Sequence, residues 1–185
     1  MRIISGIHKG RRIQAPKNLP IRPTTDMAKE ALFNILRNLV HLHGMNVLEL
    51  FAGSGNMSYE FASRGVGSVV AVDSHMPCLA FINKTAELLE LPIDTIKADA
   101  FSFLKNHKGS YDIIFADPPY AIEQDEFLQI ADSVFENNLL NDDGILIIEH
   151  SKHTDLSGHA AFDNQRKYGG TVFSFFKTAN STEEE

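Results

Sequence analysis

Five apolar runs, at Val47–Phe51, Ser68–Val72, Ile93–Ala98, Tyr111–Ala116 and Ile145–Ile148, constrain this chain more than any other feature. Each has the length and continuity of a strand covered on both faces, as in a parallel sheet. Helical spacing occupies the intervals between them, near 56–64, 76–91, 99–107 and 124–138. Alternation of this kind implies an α/β fold with a doubly wound, mostly parallel sheet and helices on both faces. Gln165–Tyr168 and Thr171–Lys177 flank Gly169-Gly170 and predict a closing C-terminal antiparallel hairpin.

A different pattern precedes this core. Arg2-Ile3-Ile4 and Arg11-Arg12-Ile13 read as a small N-terminal hairpin around a Gly-containing turn. Pro16, Pro20 and Pro23 enforce an extended connector, because each proline also biases its predecessor away from helix. Thr24, Thr25 and Asp26 are cap candidates for a helix whose apolar face is Ala28, Ala31, Leu32, Ile35, Leu36 and Leu39. At 185 residues the chain suits one domain. The expected division is a single domain over 1–180, with a basic extension at 1–40, a core at 41–180 and a disordered tail at 181–185.

Charge separates the same two regions. Residues 1–37 hold eight Lys or Arg against Asp26 and Glu30, a balance of +6, which leaves −13 for the other 148 residues of a chain whose net charge is −7. A basic lobe on an acidic body suits local contact with a phosphate backbone. Arg2, Lys9, Arg11, Arg12 and Arg22 are the cationic candidates, with Thr24 and Thr25 beside them. No apolar run approaches a membrane span and no signal-peptide pattern opens the chain, so a cytoplasmic protein without membrane contact is expected. The single cysteine, Cys78, has no internal disulfide partner and reads as a packed side chain.

Chemistry concentrates where the strands end. Val47-Leu48-Glu49-Leu50-Phe51-Ala52-Gly53-Ser54-Gly55 runs a strand into Gly-x-Gly, where missing side chains allow a ligand to approach the backbone. It has neither the lysine of a phosphate-binding Walker loop nor the third glycine of a dinucleotide fingerprint. Asp73 closes the next strand, where an acid either accepts hydrogen bonds from ribose hydroxyls or caps the following helix. Asp99 follows the third strand in the same way. The most specific feature is Asp117-Pro118-Pro119-Tyr120 after the fourth. Two prolines stiffen the backbone, Asp117 and the proline carbonyls are acceptors, and Tyr120 is a flat face for a base. Together these groups suit an exocyclic amine. Glu149 is either a pocket wall or a strand-end charge, and stands outside the catalytic set. His41/His43 and His150/His153 lack a third ligand, read as surface or loop-edge histidines, and predict no metal site.

The Asp117–Tyr120 loop together with Phe51–Gly55 resembles the amino-methyltransferases of the S-adenosylmethionine-dependent class I fold, a Rossmann-like architecture. Arg22-Pro23-Thr24-Thr25-Asp26, Glu30–Leu36, the opening Arg2–Gly6 and Tyr168–Thr171 narrow the likeness to the RsmD family. The resemblance implies transfer of a methyl group from S-adenosylmethionine to N2 of a guanine in bacterial 16S ribosomal RNA, on naked RNA or the small ribosomal subunit. It implies a cofactor site of Glu49, Phe51, Ala52, Gly53, Ser54, Gly55, Asp73, Asp99 and Ala100, and a catalytic set of Asp117, Pro118, Pro119 and Tyr120. Two alternatives stay open: an adenine-N6 methyltransferase acting on DNA or RNA, and an inactive cofactor-binding module of ribosome assembly. A monomer is expected in each case.

Overall fold

The computed structural model describes residues 1–22 and 24–178. The strands are β1 (Asn46–Leu50), β2 (Ser68–Asp73), β3 (Ile93–Lys97), β4 (Tyr111–Ala116), β5 (Leu140–Ser151), β6 (Phe162–Tyr168) and β7 (Thr171–Lys177). The helices are α1 (Asp26–Leu39), α2 (Asn56–Ser63), α3 (Met76–Leu89), α4 (Ala100–Asn106) and α5 (Gln124–Glu136). The seven strands make one sheet in the order β3-β2-β1-β4-β5-β7-β6. β1 to β5 run parallel, and β7 joins antiparallel to both β5 and β6. The expected α/β sheet with its closing hairpin is what forms.

Strand side chains point alternately to opposite faces, and this sequence supplies apolar residues to both. Val47, Ile113, Phe115, Ile145 and Ile147 face one core, filled by α1, α2 and α3 through Leu32, Phe33, Tyr59, Phe61 and Ile82. Leu48, Leu50, Ile114, Leu146 and Ile148 face the other, filled by α4 and α5 through Leu104, Phe127, Ile130 and Val134. Successive strands are added on one side of β1 and then, from β4 on, on the other, so the strand order reverses between β1 and β4. A crevice therefore opens at their carboxyl ends.

Two elements differ from the sequence expectation. β5 starts at Leu140, five residues before the apolar run, because Leu140 pairs with Tyr111 ahead of a register shift. The polar stretch Asn141-Asp142-Asp143-Gly144 hides that start from a hydrophobicity reading. The buried face of α1 is Ala28, Lys29, Leu32, Phe33 and Leu36, while Leu39 is exposed. The helix is rotated so that Phe33 meets Phe61 edge-on, ring centres 4.8 Å apart.

The N-terminal arms do pair, Ile3 N to Arg11 O at 2.9 Å and Ile13 N to Met1 O at 2.9 Å, with one bridge between Arg2 and Arg12. Their connecting loop is docked on α2. Glu60 accepts from Ile4 N at 2.9 Å and Ser5 N at 3.1 Å, and Ser63 Oγ accepts from His8 N at 3.0 Å. Gly6, at φ +88°, comes so close that a Cβ there would sit 1.7 Å from the Ser63 carbonyl oxygen. Ile3 and Ile13 are buried in the same core as α1 to α3. The disordered tail expected at 181–185 lies outside the described residues.

Candidate functional site

Three residues after β1 adopt left-handed backbone: Phe51 at φ +57°, Gly53 at +55° and Gly55 at +82°. This turn swings the chain from the sheet edge into α2. Gly55 is required twice over, since a Cβ there would lie 2.8 Å from both Ile82 Cγ1 and Tyr59 Cζ. Asp73 clamps the turn from the neighbouring strand end. Its Oδ2 accepts from Gly53 N at 2.8 Å and its Oδ1 from His75 N at 2.8 Å. Its carboxylate thus braces the turn while also lining the crevice. The crevice holds a cavity of about 320 Å³ walled by the β1, β2 and β4 ends and roofed by Pro20, Ile21, Arg22 and Thr24. That size falls within the range of about 300–1,000 Å³ usual for small-molecule sites.

The cavity is rich in carboxylates. Glu49 on β1 is buried and accepts a short hydrogen bond from Ser58 Oγ. Removal from water pushes its pKa up to about 8, against the pull of Ser58 and with help from the nearby charge of Asp117. Asp117, at the end of β4, is also pushed up by burial, and the Arg22 guanidinium beside it opposes that rise. Glu149 on β5 rises for the same reason, reinforced by Asp117 and opposed by Arg22. Glu149 Oε1 lies 3.9 Å from Arg22 Nη2, and its Oε2 is buried without a hydrogen-bond partner among the described residues. Arg22 is the one Lys or Arg among the residues lining the cavity. It bonds Asp117 Oδ1 and stacks its guanidinium carbon 3.5 Å from the centre of the Tyr120 ring.

The candidate residues divide by position. Glu49, Phe51, Ala52, Gly53, Ser54, Asp73, Asp117, Pro118 and Pro119 line one cavity, and Gly55 shapes the turn beside it. Tyr120 stands at its rim, 46% exposed. Asp99 and Ala100 do not line it. Asp99 is the N-cap of α4, its Oδ1 accepting from Ser102 N at 2.9 Å. The two residues share the carboxyl edge with Asp73, whose carbonyl accepts from Ala98 N at 3.1 Å.

The nucleic-acid candidates divide as well. Lys9, Arg11 and Arg12 are exposed on the ribbon, and Arg2 pairs with Asp26 at 3.2 Å. Thr25 caps α1 by accepting from Ala28 N at 3.2 Å, whereas Thr24 lines the cavity. Arg22 turns inward to Asp117.

Sequence reasoning missed Pro20, Ile21 and Ser58, and left Glu149, weighed as a pocket wall or a strand-end charge, outside the catalytic set. The available signal for Glu149 was its place at the end of the apolar run Ile145–Ile148. His150 corrects the expectation of surface or loop-edge histidines. It is fully buried between Ser151 O, 2.8 Å from Nδ1, and Ser174 Oγ, 2.7 Å from Nε2. Strand alternation turns it inward, and burial lowers its pKa. Cys78 lies on the cavity wall with its thiol pushed up to about 11 by burial, far from thiolate reactivity.

A family model described as conserved hypothetical protein 95 matches residues 1–177. The Bacillus subtilis (strain 168) protein YlbH is 30% identical over 185 residues, spanning 96% of this chain and 98% of that protein. The ribosomal RNA small subunit methyltransferase D of Buchnera aphidicola subsp. Baizongia pistaciae (strain Bp) is 31% identical over 150 residues, 80% of this chain and 75% of that protein. Among solved structures, the Thermus thermophilus 16S rRNA N2 G1207 methyltransferase (RsmC), in complex with AdoMet and guanosine, superposes with a TM-score of 0.68. It is 20% identical, covers 86% of this chain and 45% of that one, and establishes likeness of fold.

Proposed function

The chain belongs to the conserved hypothetical protein 95 family, and from that premise we infer that it is a ribosomal RNA methyltransferase that uses S-adenosylmethionine and modifies N2 of a guanine in 16S rRNA. The observation that carries this reading is the Asp117–Tyr120 loop, set at the end of β4 on the wall of a carboxylate-lined cavity. The name of the Buchnera relative supports the RNA substrate.

The residues present fit the cofactor. Glu49 and Asp73 give the cavity an acidic lining that favours a ligand bearing a sulfonium and an ammonium, and the left-handed turn at 51–55 bares backbone for its approach. Phe51–Gly55, Glu49 and Asp73 would hold it, with Asp99 and Ala100 at the outer edge beside Asp73. When bound, S-adenosylmethionine supplies an electrophilic methyl group. Asp117 and the Pro118 carbonyl accept hydrogen bonds from the amine of the acceptor base. This draws its hydrogens aside and stabilises the positive charge that develops on nitrogen. Tyr120 supports the ring, and the target nucleotide must leave its stack to reach it. Positioning supplies much of the remainder, because donor and acceptor must align within attack distance. The product ammonium loses its proton to solvent.

Arg2, Lys9, Arg11, Arg12 and Arg22, with Thr24 and Thr25, form the RNA-facing side of one methyltransferase domain over 1–180, its extension at 1–40 and its core at 41–180. The protein works as a cytoplasmic monomer on 16S rRNA or the small subunit. No helix among the described residues is long and apolar enough to cross a membrane.

A methyl-transfer assay with labelled cofactor tests this reading on unmodified 16S RNA, reconstituted small subunits and DNA, followed by nucleoside analysis. N2-methylguanine is expected from RNA or subunits. N6-methyladenine would replace the acceptor base, and labelled DNA alone would overturn the RNA reading.

Glu49 adds a second expectation. With its pKa near 8, the ligand-free protein holds it mostly protonated at pH 7. A folded-state pKa raised from 4.5 means the native state binds more protons, so this group lowers stability as pH rises from 4.5 to about 8. Binding a cationic ligand reverses the shift and expels the proton. Calorimetry at pH 7 in buffers of different ionisation enthalpy should therefore show proton release with S-adenosylmethionine. Less release is expected with S-adenosylhomocysteine, which lacks the sulfonium charge. Buffer-independent enthalpies would refute the proximity of Glu49 to the charge.

A further inference from the structure

We propose that Arg22 is a stand-in for the acceptor base, holding Asp117 and the Tyr120 face until RNA phosphates draw it away. The proposal rests on the reading of Asp117 and Tyr120 as the acceptor site, and concerns how that site is opened.

The geometry is specific. The Arg22 guanidinium lies over the Tyr120 ring at 3.5 Å while an Nη–H donates to Asp117 Oδ1. A guanidinium is a flat group with N–H donors fanned in its plane. The N1–H and N2–H2 edge of guanine offers the same kind of planar donor pair. A base seated on that ring face and donating to that carboxylate would occupy the place the guanidinium fills. The two occupants exclude each other.

Charge explains why the place is filled. Asp117 and Glu149 are largely buried acids, and Arg22 is the cation that both can reach, through Nη2. Without it two carboxylates would face each other with their charges uncompensated. The contact is still open to exchange, because the Arg22 side chain is 34% exposed and its neighbours in the roof belong to the basic extension. Exposed Arg12 shares a surface cleft with Arg22, Ile21 and Thr24, so RNA held there brings phosphate oxygens to the side of the molecule from which Arg22 reaches inward. A phosphate offers the guanidinium a full replacement for its carboxylate partner. A free nucleoside offers none.

Two consequences follow. The competent state is a fraction of the free protein, so small acceptors bind more weakly than the open site would allow, in proportion to that fraction. Polymeric RNA escapes the penalty. Selectivity for RNA over nucleosides is thereby built into the loop that reads the base.

The test is equilibrium binding of guanosine and adenosine to wild type, Arg22→Ala and Arg22→Lys, each saturated with S-adenosylhomocysteine. Steady-state kinetics on the RNA or subunit substrate run in parallel. Arg22→Ala should bind guanosine about tenfold more tightly, the scale of one displaced charge-assisted contact. The same variant should raise KM for RNA, because it lacks the guanidinium that phosphate captures. Opposite signs on the two substrates are the signature, since a merely structural or merely catalytic arginine would weaken both. Arg22→Lys keeps the charge and vacates the ring, and should fall between. A gain for adenosine in place of guanosine would uphold the displacement while overturning guanine as the acceptor. Guanosine and adenosine affinities unchanged or weakened in both variants would overturn the proposal, whatever the RNA transfer assay gives.

Discussion

Replacing Asp117 with alanine is expected to lower the single-turnover rate of methyl transfer by about a thousandfold, the scale of losing a preorganised group that meets developing charge. Cofactor affinity should change little. The reason lies in where the carboxylate stands: it closes the β4 end of the cavity, while the glycine turn is braced by Asp73 from β2. The loss therefore falls on the acceptor side. Asp117→Asn separates shape from charge. It keeps an oxygen for Arg22 and for an incoming amine but removes the charge, so its rate should lie between those of wild type and alanine. Rapid-quench transfer measurements alongside equilibrium cofactor binding check both statements. Turnover close to wild type in Asp117→Ala would remove Asp117 from the chemistry and with it the acceptor role of the loop.

The second large effect concerns folding. Lys29→Ala should destabilise the protein by about 3 kcal/mol in denaturant unfolding, because it strips a buried ion cluster of one partner. Lys29 is fully buried on α1, donating to Arg2 O and to Asn56 Oδ1 at 2.9 Å, with Glu60 Oε2 at 3.4 Å. Burial pulls its ammonium below the ordinary lysine range in spite of Glu60. Glu60 also carries the N-terminal loop through Ile4 N and Ser5 N, so the cluster joins the basic extension, α1 and α2. Arg64, 2.8 Å from Glu60, keeps part of the compensation and sets the cost near the lower end for a broken buried pair. A control is Lys177→Ala, whose partner Asp163 lies 3.7 Å away with both side chains about 40% exposed. That loss should stay below about 1 kcal/mol. A Lys29→Ala effect no larger than the control would show that the cluster does not hold the extension.

Much of the site was legible, and what was legible shares one property. Gly53, Gly55, Asp73 and Asp117–Tyr120 each stand immediately after an apolar run, and parallel strands bring all such ends to one edge. Asp99 obeyed the same rule and still fell outside the cavity wall, because its carboxylate is used in capping α4. Glu149 was visible as a charge at the end of β5, yet nothing local separated a pocket acid from a solvated one. Arg22 was read as a cation of the basic extension and assigned to phosphate. That it faces Asp117, 95 residues away, depends on how the extension roofs the cavity.

The sequence by itself determined the layers: continuous apolar runs and helical spacing are local along the chain, and they specify which segments become strands and which become helices. It also determined the edge at which chemistry collects, since that follows from strand direction. Only the tertiary structure decided the fate of the charges. Lys29, one of the eight cations of residues 1–37, is buried because Glu60 waits on another helix, and His150 is buried because β5 is covered on both faces. The free energy of a charge is set by the partner it meets through space and the water it loses, and neither is written in its neighbours along the chain.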